Sequence, residues 1–153
     1  MDVKRRLNSA SQKCQSAGVK FTDKRASVLA ILLASEHPLS AYELVAQYNR
    51  VHDTSMQPMS VYRILDLFVE LELVHKLASS NKYVACFHLS CDHNHGEQFF
   101  LVCKSCGASH EVGMTDALME QIKGSAEAAS FQLLQSQFEL SGLCQNCQAK
   151  VES

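Results

Sequence analysis

Residues 58–71 of this chain read PMSVYRILDLFVEL, and this stretch decides the fold of the first half. Proline is accepted in the first turn of a helix, where its missing N–H would have no partner. Apolar side chains then recur at spacings of three and four residues, at Val61, Ile64, Leu65, Phe68 and Leu71. The periodicity predicts a helix with one buried face, and it leaves Ser60, Tyr62 and Arg63 near the N-terminal end and partly outward.

Two more helices are predicted upstream of this one. Thr22 has the side chain of an N-cap and precedes an apolar run, so a helix is expected over about residues 23–35. Ser40 and Glu43 have the spacing of a capping box, which predicts a helix that ends near residues 48–50. A capped helix, a connector and a helix with polar and basic groups at its start are typical of a helix-turn-helix.

A β-hairpin is predicted after these helices. Its two strands are expected over residues 73–77 and 83–87. The connector before Pro58 is longer than a tight turn, which favours a winged helix-turn-helix with this hairpin as its wing. If the turn centres between Ser80 and Asn81, His75 and Cys86 are cross-strand partners on one face, with Cβ atoms about 5 Å apart.

The second half of the chain mixes short strands with one helix. Strands are predicted over residues 98–103 and 109–112, a helix over about 115–128, and a final long strand from Phe131 to Leu140. The predicted fold class is therefore α+β. We expect a winged-helix DNA-binding domain over residues 1–84, a hinge over 85–96, and a β-β-α-β domain over 97–153.

Charge divides unevenly along the chain. Residues 1–84 hold 11 Lys and Arg against 8 Asp and Glu, a balance of +3, whereas residues 85–153 hold 3 against 8, a balance of -5. A basic half followed by an acidic half favours a nucleic-acid-binding module joined to a domain that does not bind the nucleic acid. No stretch approaches the roughly 18 apolar residues of a membrane helix, so we expect a cytoplasmic protein without a membrane partner.

Seven cysteines in a chain that we expect to carry no export signal point to metal or thiol chemistry. The strongest motif pairs Cys103 and Cys106 with Cys144 and Cys147, in two Cys-x-x-Cys knuckles separated by 37 residues. Two knuckles supply the four thiolates of a closed tetrahedral zinc site, for which a structural role is expected. The alternative is a thioredoxin-like redox pair, but that motif needs one Cys-x-x-Cys at a helix start in a βαβ fold.

A second set of metal-ligand residues is scattered along the chain. It comprises His75, Cys86, His95 and Glu111, with His93 as the alternative to His95. One thiolate, one or two imidazoles and a carboxylate make a mixed site suited to zinc, whose ligands come from both halves of the chain. A weaker hypothesis places a third metal site around Cys91 and His93, where a solvated polar linker is the alternative.

Together these residues resemble the ferric uptake regulator family, and its zinc-responsive branch in particular. The resemblance is carried by residues 21–25 (FTDKR), 40–42 (SAY), 60–63 (SVYR), 73–76 (LVHK) and the two knuckles. It implies a homodimeric repressor that binds a palindromic operator on double-stranded DNA. It also implies DNA contacts by Arg25, Tyr42, Ser60, Tyr62 and Arg63, among which Arg63 can bond bidentately to a guanine edge.

The choice of metal follows from Cys86. The iron and peroxide branches of the family carry histidines and carboxylates at the wing-to-hinge site, whereas a thiolate selects for zinc. We therefore expect two zinc ions per chain, one structural and one regulatory, and repression of zinc-uptake genes when the second is bound. An iron- or peroxide-responsive regulator and a thiol-redox regulator remain the alternatives.

An enzyme is the less favoured class. The chain contains no Pro-Cys-x-x-Cys, which zinc deaminases pair with a His-x-Glu, and no His-Glu-x-x-His of metalloproteases. We therefore expect neither catalysis nor a small-molecule substrate.

Overall fold

The structure is a computed structural model, and it describes residues 2–86, 89, 98–134 and 137–152. Within those residues it contains six helices and five strands, which confirms the mixed α+β fold class. The chain divides into two compact units, residues 1–92 and residues 93–153. None of the described helices combines the length and the apolar character needed to cross a membrane.

Four helices form most of the first unit: α1 (Val3–Ser16), α2 (Asp23–Ala34), α3 (Ala41–Val51) and α4 (Pro58–Glu70). The predicted caps explain where α2 and α3 begin. The Thr22 hydroxyl accepts the Arg25 N–H at 3.3 Å. The Ser40 hydroxyl accepts the Glu43 N–H at 3.1 Å, and the Glu43 carboxylate accepts the Ser40 N–H at 2.6 Å. These bonds satisfy N–H groups that a helix start would otherwise leave without partners.

The core of this unit forms where the apolar faces of the helices meet. Its fully buried side chains include Val28, Leu29, Leu44, Val61, Leu65 and Phe68. Phe68 lies on the face that the spacing in residues 58–71 predicts to be buried. Truncating a buried phenylalanine to alanine costs about 3–5 kcal/mol, so this face fixes the position of α4.

The wing hairpin consists of β1 (Val74–Leu77) and β2 (Lys82–Ala85). Leu77 pairs with Lys82, and the Asn81 N–H bonds back to the Leu77 carbonyl at 2.9 Å. Asn81 takes the left-handed conformation with φ 57°, which asparagine tolerates better than most residues. The turn is therefore a four-residue loop over residues 78–81.

The four-residue loop gives the wing a strand register that differs from the predicted one. His75 lies opposite Val84 and not opposite Cys86. The Cys86 N–H instead bonds to the Leu73 carbonyl at 2.9 Å, which places Cys86 two residues beyond the partner of His75. The prediction was wrong because it centred the turn between Ser80 and Asn81, whereas the loop is centred one residue earlier, between Ser79 and Ser80. A shift of two residues preserves the side of the sheet, so both side chains still point to the same face.

The second unit contains β3 (Gln98–Cys103), β4 (Ser109–Gly113), α5 (Asp116–Ala128), β5 (Phe138–Gly142) and α6 (Gln145–Val151). Its sheet has the order β4-β3-β5, with β3 antiparallel to β4 and parallel to β5. A parallel pair needs a crossover, and α5 lies in this connection. The sheet and helix follow the predicted β-β-α-β order, to which α6 is added.

The predicted long strand from Phe131 is wrong over its first part. The Phe131 N–H bonds to the Ala126 carbonyl at 2.8 Å, and Ser130 takes the left-handed conformation with φ 58°. These are the features of a helix C-terminal cap. The described residues 131–134 are not in a strand, and β5 begins at Phe138.

Candidate metal centres and nucleic-acid interface

The first cysteine knuckle is the turn between β3 and β4. The Gly107 N–H bonds to the Cys103 carbonyl at 2.9 Å, and the Cys103 N–H bonds to the Ala108 carbonyl at 2.8 Å. Gly107 has a φ of 78°, a conformation that favours glycine. The tight turn brings the thiol of Cys106 back beside that of Cys103.

The second knuckle is the start of α6. Cys144 is the N-cap, and its carbonyl accepts the N–H groups of Cys147 at 3.0 Å and Gln148 at 2.9 Å. The first helical turn thus places two thiols on one side. The Lys104 N–H bonds to the Gly142 carbonyl at 2.9 Å, which holds this segment against the first knuckle.

The four thiols of the knuckles converge, as the sequence predicts. Their sulfur atoms all lie within 4.8 Å of one another, and Sγ of Cys106 is 3.7 Å from Sγ of Cys144. Four ligands at about 2.3 Å from a tetrahedral zinc ion are roughly 3.8 Å apart. The spacing and the all-sulfur donor set therefore fit zinc.

One of these thiols is prepared for metal binding by the backbone. The N–H of Cys144 lies 3.4 Å from Sγ of Cys103. This group, followed by the backbone N–H groups of Cys106 and Ser105, lowers the pKa of the Cys103 thiol to about 6. Hydrogen bonds to a thiolate favour the charged form, which is the form that binds metal.

His75 and Cys86 meet at the base of the wing. A ring nitrogen of His75 and Sγ of Cys86 lie within 4.8 Å of each other. Cys86 is 1% exposed and His75 is partly buried. An imidazole and a shielded thiol at this distance can bind the same soft cation.

The other predicted ligands of this site come from later in the chain. Glu111 belongs to the second unit, where it is opposite Phe100 in the pairing of β4 with β3. His93, His95 and Cys91 lie outside the described residues, and so do the third metal site suggested there and most of the predicted hinge.

The start of α4 presents polar groups to solvent. Ser60 and Arg63 are exposed, whereas Tyr62 is half-buried. Tyr42, in the first turn of α3, is 66% exposed, and its ring meets that of Tyr62 edge to face with centroids 6.4 Å apart. Four of the predicted DNA-contacting residues thus belong to two neighbouring helix starts.

Arg25 is placed differently from the other predicted contacts. It lies in the first turn of α2, and its guanidinium donates a hydrogen bond to the Lys20 carbonyl. This bond gives Arg25 a structural role at the start of α2, whatever it contacts on DNA.

Two side chains that support these sites were missed in the sequence. Asn49 holds the connector between α3 and α4, and Arg6 of α1 donates to the Cys86 carbonyl at 2.5 Å. A signal existed for each of them. Asn49 is a polar residue in the last turns of an amphipathic helix, and Arg6 is a charge at the start of a stripe that continues with Ala10 and Cys14.

Comparison with known proteins places the chain in a family. The model of the ferric uptake regulator family matches residues 16–141. The zinc uptake regulation protein of Escherichia coli (strain K12) is 32% identical over 141 residues, which cover 92% of this chain and 80% of that protein.

Solved structures give the same result. A zinc uptake regulator complexed with zinc and DNA is similar with a TM-score of 0.85 and 26% identity, covering 100% of this chain and 99% of the other. Holo XcZur is similar with a TM-score of 0.76 and 33% identity, covering 94% and 96%. The chain therefore belongs to the ferric uptake regulator family, in its zinc uptake regulator branch.

Proposed function

We propose that this chain is a zinc-responsive repressor, which as a homodimer binds a palindromic operator and represses zinc-uptake genes. The observation that carries the proposal is that His75 and Cys86 lie close together at the base of the wing of a DNA-binding fold. The relatives described above support it, because they include a zinc uptake regulator complexed with zinc and DNA. Such a regulator acts on DNA in the cytoplasm and has no catalytic role.

DNA recognition is assigned to the N-terminal end of α4. Arg63 and Ser60 are exposed there, and a helix in the major groove reads base edges with the residues near its start. Arg63 suits a guanine edge, while Tyr42 and Tyr62 suit thymine methyls or phosphates. Arg25 is proposed as a phosphate contact at the start of α2.

Two zinc sites per chain are proposed. The four knuckle cysteines hold the structural ion, since their sulfur spacing matches a closed tetrahedral site. His75 and Cys86 bind the regulatory ion, with Glu111 as the third ligand and His95 as the fourth. His93 is the alternative to His95. This mixed donor set favours zinc over iron or manganese because sulfur ligands disfavour the harder ions.

Each of three consecutive parts of the chain is assigned its own function. Residues 1–84 bind DNA, residues 85–96 act as the hinge, and residues 97–153 dimerise and hold the structural metal.

Two exposed leucines support dimerisation through the second unit. Leu101 of β3 and Leu140 of β5 are register partners, and they are 43% and 56% exposed. Adjacent exposed leucines on a sheet are typical of a surface that a second copy covers.

The mechanism is a shift of population between conformations of the dimer. When bound, zinc supplies strong bonds that hold together ligands from the wing and the second half of the chain. His75 and Cys86 then fix the wing, and the two α4 helices reach major grooves about 34 Å apart on one face of the duplex. A change from 1:99 to 99:1 in the competent form needs about 5.5 kcal/mol of difference in binding free energy.

The test is a titration of DNA binding with different metals. A palindromic duplex is selected from a randomised pool by the zinc-loaded protein, and its binding is followed by fluorescence anisotropy. Zinc should promote binding at concentrations where iron(II) and manganese(II) do not. A stronger response to iron(II) would support the iron-responsive alternative, and loss of zinc and DNA binding after mild peroxide would support the thiol-redox alternative.

A further inference from the structure

The first helix contains a buried charge. Of the residues that the structure describes, Arg6 is the one charged side chain in the buried class, with 8% of its surface exposed. Arg6, Ala10 and Cys14 are spaced by four residues and lie on one face of α1, and the other two are fully buried. Burying a guanidinium in an apolar stripe is costly unless its hydrogen bonds are made. An aliphatic side chain at this position would dock α1 without that cost.

The guanidinium of Arg6 reaches the end of the wing hairpin. Nη2 of Arg6 donates a hydrogen bond of 2.5 Å to the carbonyl of Cys86, 80 residues away in the chain. A hydrogen bond from a charged donor is stronger than one between neutral groups. Burial shields the bond from water and makes it stronger still.

This bond completes the fixation of the Cys86 backbone. Cys86 follows the last residue of β2, and its N–H is held by the Leu73 carbonyl at 2.9 Å. Its own carbonyl lies beyond the paired part of the hairpin and is held by Arg6. With both neighbouring peptide groups held, the direction of the Cα–Cβ bond is set, and the thiol stays beside His75.

We propose that Arg6 is a positioning residue for the regulatory zinc site, which holds the Cys86 thiol in its ligating orientation from α1. The inference rests on the proposed role of Cys86 as a zinc ligand. It adds α1 to the elements that the site depends on. This role explains the free-energy cost of burying a charge in α1, because the fold gains a preorganised metal ligand.

The experiment follows cobalt(II) as a spectroscopic probe at this site. Protein that retains its structural zinc is titrated with cobalt(II), and the thiolate-to-cobalt charge-transfer band and the visible ligand-field bands are recorded. Zinc affinity is then measured by competition. The variants are Arg6→Met, which removes the donor but keeps the volume, and Arg6→Lys, which keeps a charged donor. Arg5→Met changes the exposed neighbour and is the matched control.

Arg6→Met should bind cobalt(II) and zinc about ten- to a hundredfold more weakly, with a reduced or shifted charge-transfer band. Arg6→Lys should recover part of the loss, and Arg5→Met should match the unmodified chain. Thermal unfolding of the cobalt-free proteins should show α1 docked in each variant. Unchanged affinity and an unchanged band in Arg6→Met would overturn the inference.

The two levels of the proposal fail in different ways. If the unmodified chain shows no thiolate band, or if Cys86→Ser leaves that band intact, Cys86 is not the ligand and the proposed site is wrong. If the band is present and depends on Cys86 but not on Arg6, only the role of Arg6 is wrong. If Arg6→Met does not fold, Arg6→Lys is compared with Arg5→Met: a lower zinc affinity in a folded Arg6→Lys supports the role of Arg6, and equal affinities of the two variants overturn it.

Discussion

The side chain of Asn49 closes the connector of the helix-turn-helix on Met56. Its Oδ1 accepts the Met56 N–H at 2.7 Å, and its Nδ2 lies 3.5 Å from the Met56 carbonyl. Met56 is 4% exposed, so its backbone has little access to water. Asn49 therefore fixes the segment that leads into α4, and with it the angle at which α4 is presented.

Asn49→Ala should lower the free energy of unfolding by about 1–3 kcal/mol, because the Met56 N–H loses its partner in a buried position. Operator affinity should fall as well, while the zinc content stays the same. Chemical denaturation and anisotropy measure the two effects. Asn49→Asp keeps the acceptor and is the control. A loss in Asn49→Asp as large as in Asn49→Ala would show that the Met56 N–H bond is not the cause.

Arg63→Ala should weaken binding to the selected operator by about 1–3 kcal/mol, the value of one bidentate contact with a base. Binding to random DNA should change less, because non-specific binding depends on total charge. Arg50→Ala removes the same charge from an exposed position late in α3 and serves as the control. Equal effects of the two substitutions would reduce Arg63 to a general electrostatic role.

Cys103→Ser should abolish the structural zinc site, and the second unit should unfold or lose its dimeric state. A zinc site of this kind contributes its binding free energy directly to folding. Metal analysis and sedimentation measure the outcome, with Cys14→Ala as a control that removes a buried cysteine from the first unit. A stable, zinc-free dimer of Cys103→Ser would refute the structural role.

The stability of the first unit depends on pH through the charge of Glu43. The Ser40 backbone N–H is the main group that lowers the pKa of this carboxyl below its ordinary 4.5, and Lys82, 3.3 Å away, lowers it further. Because the folded pKa is the lower one, the stabilisation is complete above pH 4.5 and disappears as the pH falls through the folded value.

Glu43→Gln should consequently be less stable than the unmodified chain at neutral pH, and the difference should shrink on acidification through that range. The midpoint of urea unfolding, measured against pH for both proteins, tests this. A difference that is independent of pH would mean that the Glu43 charge contributes nothing to the cap.

Local signals in the sequence predict a large part of this molecule. The helix starts at Thr22, Ser40 and Pro58 follow from capping and proline chemistry, which depend on residues within one turn. The two Cys-x-x-Cys knuckles predict their own convergence, since four thiolates at one point form a recognised zinc site.

The errors arise where geometry depends on a single backbone choice. The left-handed conformation of Asn81 sets a four-residue wing loop, and the same conformation at Ser130 ends α5 where the apolar residues after it suggest a strand. The first changes the strand register of the wing and the second changes the boundary of α5, and neither changes the pattern of apolar residues. The prediction that His75 and Cys86 share a face survives because the shift is two residues.

Such local patterns do not predict contacts between residues that are far apart in the chain. The bond from Arg6 to Cys86 joins residues 80 positions apart, and no spacing rule connects them. A charge in an apolar helical stripe signals that a partner is needed, but it does not say which residue supplies it.

The central claim is that zinc at His75 and Cys86 decides whether the dimer binds its operator, and Cys86→Ser tests it most directly. Operator affinity is measured by anisotropy across a buffered zinc series, with zinc content and dimeric state determined on the same samples and Cys14→Ala as the control. We predict that Cys86→Ser stays a folded dimer with its structural zinc and gains no operator affinity as zinc rises. The same zinc-dependent gain in Cys86→Ser as in the unmodified chain would contradict the claim.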